Sequence, residues 1–338
     1  MKSVIVLSIL TTASLMASPL TKDAKNAGLL PIPASKTALL KLIDNPKNHI
    51  TDAKVKLGKK LYLDPRLSRS GLISCNTCHN VMEGGDDGVG AATGHMWRHN
   101  PHHLNSPTVY NAVFFGSQFW DGRAKDLEEQ AQGPTLAHPE MAATKEHIVA
   151  VVKSMPEYVK EFKQAYGDNV KITFAKVTDT IASFERTLVT PAPFDAFMNG
   201  YKEAMTPKQK EGLKTFIQIG CASCHNGVAL GGEMGAFNVT ATYKYMSTGD
   251  FKGDKNGMVK VPTLRNITET APYFHNGMIW NLKDAIKEMG RIQLGTKISD
   301  KQAESIETFL GALTGKKPHM MMPMLPASTA TTPKPDLN

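Results

Sequence analysis

The chain has 338 residues, 41% hydrophobic and 21% charged, with 27 Gly and 20 Pro, an ordinary globular balance that excludes wholesale disorder and fibrous repeats. Its length is that of roughly two domains. The formal charge of +8 comes from 39 Lys and Arg against 31 Asp and Glu, spread without a dense basic block, so a solvated basic surface is expected and nucleic-acid binding is not.

In chain order, Lys2 precedes an apolar stretch from Val4 to Leu10, and small residues lead to Leu15-Met16-Ala17. Residues 1–17 resemble a secretory signal cleaved near Ala17. The apolar run is well short of the ~20 residues that span a bilayer, and no later run is longer, so the mature chain is expected to have no membrane span. The first cysteine motif is Cys75-Asn76-Thr77-Cys78-His79. Ser154-Met155-Pro156-Glu157 reads as a capping box opening a helix toward Tyr166. Thr173 opens another, with Phe174, Val177, Ile181, Phe184 and Leu188 at helical spacing, stopping at Thr190-Pro191-Ala192-Pro193. Thr206-Pro207 starts a helix that carries Leu213, Phe216 and Ile217 to Gly220. Then comes the second motif, Cys221-Ala222-Ser223-Cys224-His225. Leu282, Ala285, Ile286 and Met289 form one apolar stripe, and Ser299 caps a last helix through Leu313. The tail from Pro318 reads as a wrapping or mobile segment. No run of alternating strands stands out, so the fold expected is mainly α.

All four cysteines fall in the two pentads. Cys-x-x-Cys-His is the attachment signature of c-type haem: two thiols add to the vinyl groups on one porphyrin edge, and the His supplies an axial nitrogen. A zinc site or redox disulfides would use the same cysteines. A zinc site would not require His directly after both pairs, and a thioredoxin-like disulfide would sit in a βαβ context.

The pentads belong to a longer repeat. Pro107-Thr108-Val109-Tyr110-Asn111 is echoed 155 positions later by Pro262-Thr263-Leu264-Arg265-Asn266, and Phe119-Trp120-Asp121-Gly122 by Phe274-His275-Asn276-Gly277 at the same offset. The copies differ where chemistry would sit. Trp120 corresponds to His275, and Met289 corresponds to Pro134, so two bound haems need not share a sixth ligand.

The pentads, Asn105-Ser106-Pro107-Thr108, Phe119-Trp120-Asp121-Gly122-Arg123 and Thr270-Ala271-Pro272-Tyr273-Phe274-His275-Asn276-Gly277 together resemble the bacterial di-haem cytochrome c peroxidases, over about Leu57 to Leu313. The resemblance implies two cytochrome c-like helical domains, each with one covalent c-type haem. An N-terminal peroxidatic domain would cover 18–189 and a C-terminal electron-transfer domain 190–316, with the tail 317–338 packing back on the first. Cys75, Cys78 and His79 would hold the haem that meets hydrogen peroxide. Cys221, Cys224 and His225 would hold the haem through which electrons enter. His95 matches the resting sixth ligand of the first iron, with His99, His102 and His103 close by in a His-rich segment, and the glycines from Gly84 to Gly94 give that loop freedom to move. Met289, in Met289-Gly290-x-x-Gln293-Leu294-Gly295, matches the second ligand of the other iron; by its stripe alone it would be a core residue.

Trp120 matches the residue between the haems, and Gln130 and Glu140 match the catalytic pocket residues. By composition alone Trp120 reads equally as core, and Glu140 as a surface acid. Asn105, Thr270 and Pro272 match an inter-domain calcium site. The resemblance further implies export to the periplasm, a small monohaem cytochrome c or cupredoxin-like protein as electron donor, and a homodimer. Two other functions stand beside the peroxidase: a pure di-haem electron carrier, and a related maturation oxidase in which Tyr replaces the axial Met.

Overall fold

A computed structural model describes residues 19–337; the expected secretory leader lies outside them. Helices dominate the described residues: α1 (Pro19–Asn26), α2 (Lys36–Ile43), α3 (Asp52–Leu63), α4 (Cys75–Cys78), α5 (Leu127–Gln130), α6 (Gln132–Leu136), α7 (Lys145–Ser154), α8 (Pro156–Tyr166), α9 (Phe174–Glu185), α10 (Pro193–Met198), α11 (Pro207–Ile219), α12 (Leu282–Gln293) and α13 (Asp300–Gly311). A two-stranded antiparallel ribbon joins β1 (Met234–Ala236) to β2 (Met258–Lys260), with Met234 opposite Lys260. Three-residue strands carry too little alternation to be read from sequence.

Local chemistry accounts for most helix ends. The Thr173 hydroxyl accepts from Lys176 N–H at 3.2 Å to open α9. Thr206 and Gln209 cap α11 reciprocally, Pro207 fills its first turn, and Gly220 ends it at φ 99°, where a side chain would be strained. Ser299 and Gln302 form the same box on α13. The expected box at Ser154 is not made. Ser154 is the last residue of α7, with its hydroxyl on the Val151 carbonyl at 2.7 Å, and α8 begins at Pro156 with no side-chain cap. Helix α9 stops at Glu185 and α13 at Gly311, each a few residues before the ends its apolar spacing suggested.

Two apolar clusters organise the chain. The first gathers Leu57, Leu61, Val151, Phe162, Val177 and Ile181. The second gathers Phe194, Leu213, Phe216, Leu282, Ile306 and Phe309. Helix α1 joins the second through Leu20 and Ala24, although the sequence division groups it with the first. In the tail, Met320 packs on the first cluster. Arg66 donates to the Pro326 carbonyl at 2.8 Å, and Arg69 pairs with Asp336 at 2.6 Å.

Each cluster is closed by two helices crossing at backbone distance. A Cβ on Gly58 of α3 would collide with the Thr180 carbonyl of α9; one on Gly212 of α11 would collide with the Ser305 carbonyl of α13. In both clusters it is the helix preceding the pentad that makes this crossing.

Arg265, which stands in the second Pro-Thr motif where the first has Tyr110, is fully buried and pairs with Asp195 at 2.8 and 3.0 Å, while its Nε donates to the Val228 carbonyl. Asp195 also accepts from Ile32 and Ala192 N–H, each at 2.7 Å. One carboxylate therefore ties together the segment after α1, the start of α10 and the second Pro-Thr motif. Asp195→Ala leaves a buried guanidinium unpaired and is expected to destabilise the protein by about 3–5 kcal/mol. Denaturant unfolding of the haem-loaded protein measures this, and a loss below about 1 kcal/mol would remove the pair from this role.

Candidate functional site

The two pentads begin the construction. Cys75–Cys78 is one helical turn, and Cys221–Ser223 is a 3₁₀ turn directly after the left-handed Gly220. All four thiols are free. The His79 Nδ1–H donates to the Pro107 carbonyl at 2.8 Å, and the Tyr62 hydroxyl donates to the His79 carbonyl at 2.6 Å. The His225 Nδ1–H donates to the Leu230 carbonyl at 3.3 Å, and Pro262 lines the same cleft. In the first copy the Pro-Thr motif thus has a physical job, its prolyl carbonyl orienting the pentad histidine, whereas in the second the Leu230 carbonyl does so. With Nδ1 engaged, Nε2 keeps its lone pair, the form that ligates a metal. Burial lowers the proton affinity of both rings, to about 4 for His225, so both are neutral ligands at neutral pH.

Each pentad opens on a cleft. The His225 cleft has a cavity volume of about 200 Å³ and the His79 cleft about 160 Å³, and both open to solvent. The walls of the first are largely apolar, including Phe216, Leu282, Ile286 and Leu310. Paired thiols, a neutral imidazole and apolar walls are the donor set and surroundings that a covalently held, mostly apolar macrocycle requires, so the residues fit a haem in each cleft.

Asn105, Pro107, Phe115, Trp120 and Lys260 line both clefts. The Trp120 indole N–H donates to the Asn105 carbonyl at 3.0 Å, and its ring meets His275 edge-on at 6.4 Å. Gln130 and Glu140 line the His79 cleft. Burial raises the proton affinity of Glu140, against the opposing effect of Arg123 and His102. Met289 lines the His225 cleft from α12.

His95 stands apart from these. It is buried, but its ring packs on His138 at 5.8 Å, its Nδ1 has no partner, and it is not part of the cleft wall, whereas Gly94 is. His102 pairs with Asp250 at 2.9 Å near the surface, and neither His99 nor His103 lines the cleft. Most of the loop glycines are packed closely, Gly88 excepted: a Cβ on Gly94 would strike the Pro139 carbonyl, and Gly90 abuts Gly277.

Asn105, Thr270 and Pro272 all line the His225 cleft. The Asn105 amide donates to the carbonyls of Pro272 at 2.7 Å and Phe274 at 3.2 Å, while its Oδ1 is buried and unbonded. A half-turn of this amide would bring two oxygens together, an arrangement that a hard cation such as calcium would satisfy.

Two cleft residues, Glu185 and Lys260, had no separate signal in the sequence, and a third, His275, stood out only as the repeat counterpart of Trp120. Glu185, on α9, is 6% exposed with an unbonded Oε2, and burial raises its proton affinity to about 8. Lys260 and His275 are also buried, with proton affinities lowered to about 7 and 4. For Glu185 and Lys260, a charged residue type one step from an apolar run was the only signal available.

Comparison with known proteins follows this geometry. Residues 52–203 match the family model for di-haem cytochrome c peroxidase. The chain is 44% identical to cytochrome c551 peroxidase of Pseudomonas aeruginosa, over 93% of this chain and 92% of that protein. It is 45% identical to cytochrome c551 peroxidase of Nitrosomonas europaea, over 82% and 85%. Among solved structures, a MauG-like protein associated with microbial copper homeostasis superposes with a TM-score of 0.70 at 23% identity, covering 81% of this chain and 93% of that one, a likeness of fold.

Glu185 yields a pH test. An unfolded Glu loses its proton near 4.3, but the folded chain holds it to about 8. Between those values the folded state binds more protons, so stability falls as pH rises. Glu185→Gln is expected to remove that slope, the difference from wild type widening by at most about 1.4 kcal/mol per pH unit. Denaturation at pH 5, 6, 7 and 8 measures it, and parallel profiles would show that Glu185 ionises normally.

Proposed function

The chain belongs to the di-haem cytochrome c peroxidase family, and on that footing we propose that it reduces hydrogen peroxide to water at the His79 cleft with electrons taken in at the His225 cleft. It is a di-haem peroxidase, an oxidoreductase. The observation that carries the division of labour is that Glu140 and Gln130 line the His79 cleft, while the α12 methionine, Met289, lines the other.

Bound haem supplies a redox-active iron beside each pentad histidine and a store for the electrons. The protein residues then have separable tasks. His79, held by the Pro107 carbonyl, and His225, held by the Leu230 carbonyl, would present Nε2 to the metal. Glu140 takes a proton from the near oxygen of peroxide and returns it to the leaving oxygen, and its raised proton affinity suits that exchange near neutral pH. Gln130 offers an amide to orient the peroxide. Trp120, on both walls, bridges the two clefts. Over a full turnover two electrons and two protons convert one peroxide to two waters.

We assign His95 to closing the His79 cleft in the resting oxidised enzyme. The arrangement described here, with His95 off the cleft wall, suits the open state. The loop from Gly84 to Gly94 touches Glu269 and Gly277 on one side and Pro139-Glu140 on the other. A shift of the second half of the chain would therefore be felt at both His95 and Glu140.

Asn105, Thr270 and Pro272 are proposed to hold calcium between the halves, 18–189 acting as the peroxidatic unit with the tail 317–338 packed on it and 190–316 as the electron-transfer unit. No helix among the described residues is long and apolar enough to cross a membrane. A periplasmic homodimer fed by a small monohaem cytochrome c or cupredoxin-like donor completes the reading. A pure electron carrier would have no use for Glu140 and Gln130 in the cleft. The oxidase reading needs a Tyr near position 289, and none occurs from Leu282 to Leu294.

Two measurements test this. Glu140→Gln is expected to lower kcat for peroxide, with a reduced monohaem cytochrome as donor, by roughly 10²–10⁴-fold. An unchanged kcat would make the protein a carrier, or place the acid–base group elsewhere. Met289→His is expected to lower the potential of the His225 haem, because thioether ligation favours ferrous iron. An unaltered redox titration would return Met289 to the core.

A further inference from the structure

The two clefts share a wall, and one residue on it is charged among those described: Lys260, the last residue of β2. The residue is 4% exposed. Its backbone N–H donates to the Trp120 carbonyl at 2.8 Å, and its ammonium lies 4.5 Å from the centre of the Phe115 ring. No carboxylate of the described residues forms an ion pair with it. Asp121, the acid whose field reaches it, is paired with Arg123 at 2.8 Å. Arg123 is thus spoken for, and Lys260 is left as a buried cation facing two clefts with an aromatic ring for company.

A buried ammonium is costly unless an anion meets it, and a ring face recovers only part of that cost. Without an anion, burial alone lowers the Lys260 proton affinity to about 7. The anion that a haem brings into such a cleft is a propionate carboxylate. The side to which Lys260 belongs is also on the page. Val259 and Val261 on either side of it line the His225 cleft and not the other, and alternation along the strand turns the Lys260 side chain the opposite way, toward Phe115 and the His79 cleft. In keeping with this, its charge lowers the proton affinity of the His79 ring.

We propose that Lys260 is the counter-charge for a propionate of the haem held by Cys75, Cys78 and His79, and that it helps set that haem's potential. This rests on the reading of the clefts as haem sites. Its consequence is specific: the charge that balances the haem in the first half of the chain is carried by a residue from the second half. Displacement of β2 relative to Trp120 would then alter the first haem's potential without changing any iron ligand.

The experiment uses haem-loaded wild type, Lys260→Met and Lys260→Arg, with haem counted first by pyridine haemochrome. A wild-type count below two would overturn the haem reading itself. With two haems present, spectroelectrochemical titration is expected to show the His79 haem at a lower potential in Lys260→Met, because the unbalanced carboxylate favours ferric iron, with most of the loss recovered in Lys260→Arg. The His225 haem is expected to move less. An unmoved His79 haem, or a shift confined to the His225 haem, would overturn the assignment. If Lys260→Met does not accumulate with two haems, the resonance-Raman propionate bending mode of Lys260→Arg decides. A shift from wild type supports the contact, and an identical mode overturns it.

Discussion

Each cleft is built around a helix crossing with nothing between the backbones. Gly58 of α3 and Gly212 of α11 let their helices lie directly on the carbonyls of Thr180 and Ser305, and those helices lead into the pentads. This fixes where the thiols and imidazole stand. From there short hydrogen bonds orient each pentad histidine: Tyr62 to the His79 carbonyl, His79 to Pro107, and His225 to Leu230. A larger residue at either glycine would push apart the helices from which a pentad is suspended, with a cost paid at the site and not only in the core.

The sequence was most informative where covalent chemistry or backbone geometry dictates the residue. The pentads need fixed spacing, the Pro-Thr motif needs its carbonyl, and Thr206-Pro207 with Gly220 brackets a helix by capping alone. Those features were legible. Helices α3 and α7 were not: in α3 lysines interrupt the apolar positions and blur the period, and in α7 the short continuous run Ile148–Val152, rich in β-branched residues, reads equally as a strand. Ser154 shows the opposite failure: it has the right pattern for a cap, but the preceding helix already claims it. The loop glycines read as freedom to move, whereas Gly94 is required for the close approach of Pro139, a contact between segments far apart in sequence. Glu185 and Lys260 were invisible for a similar reason, since burial is a property of the fold.

The electrostatics of the clefts follow from that burial. His79, His225, His275 and Lys260 all have lowered proton affinities, and Glu140 and Glu185 raised ones. Every shift has desolvation as its first cause, so the protein's own groups tend toward neutrality in the clefts. Metal charge and cofactor carboxylates would therefore meet little competing charge from the walls, and a single ion can have a large effect there. That is a favourable setting for a redox centre, because each electron added is felt strongly by the few groups able to respond.

The shared wall makes the two clefts interdependent. Asn105 links them most directly: its carbonyl holds the Trp120 indole, its N–H donates to the His275 carbonyl at 2.8 Å, and its amide reaches Pro272 and Phe274. Trp120 in turn accepts the backbone N–H of Lys260. A rigid body of hydrogen bonds thus runs from the 270–275 segment through Asn105 and Trp120 to β2, touching both clefts on the way. Because Gly90 rests on Gly277 in that same segment, the loop that carries His95 is packed against the network rather than free of it. Motion of the loop would therefore be felt at the shared wall, the contact through which the opening proposed for His95 would reach the second cleft.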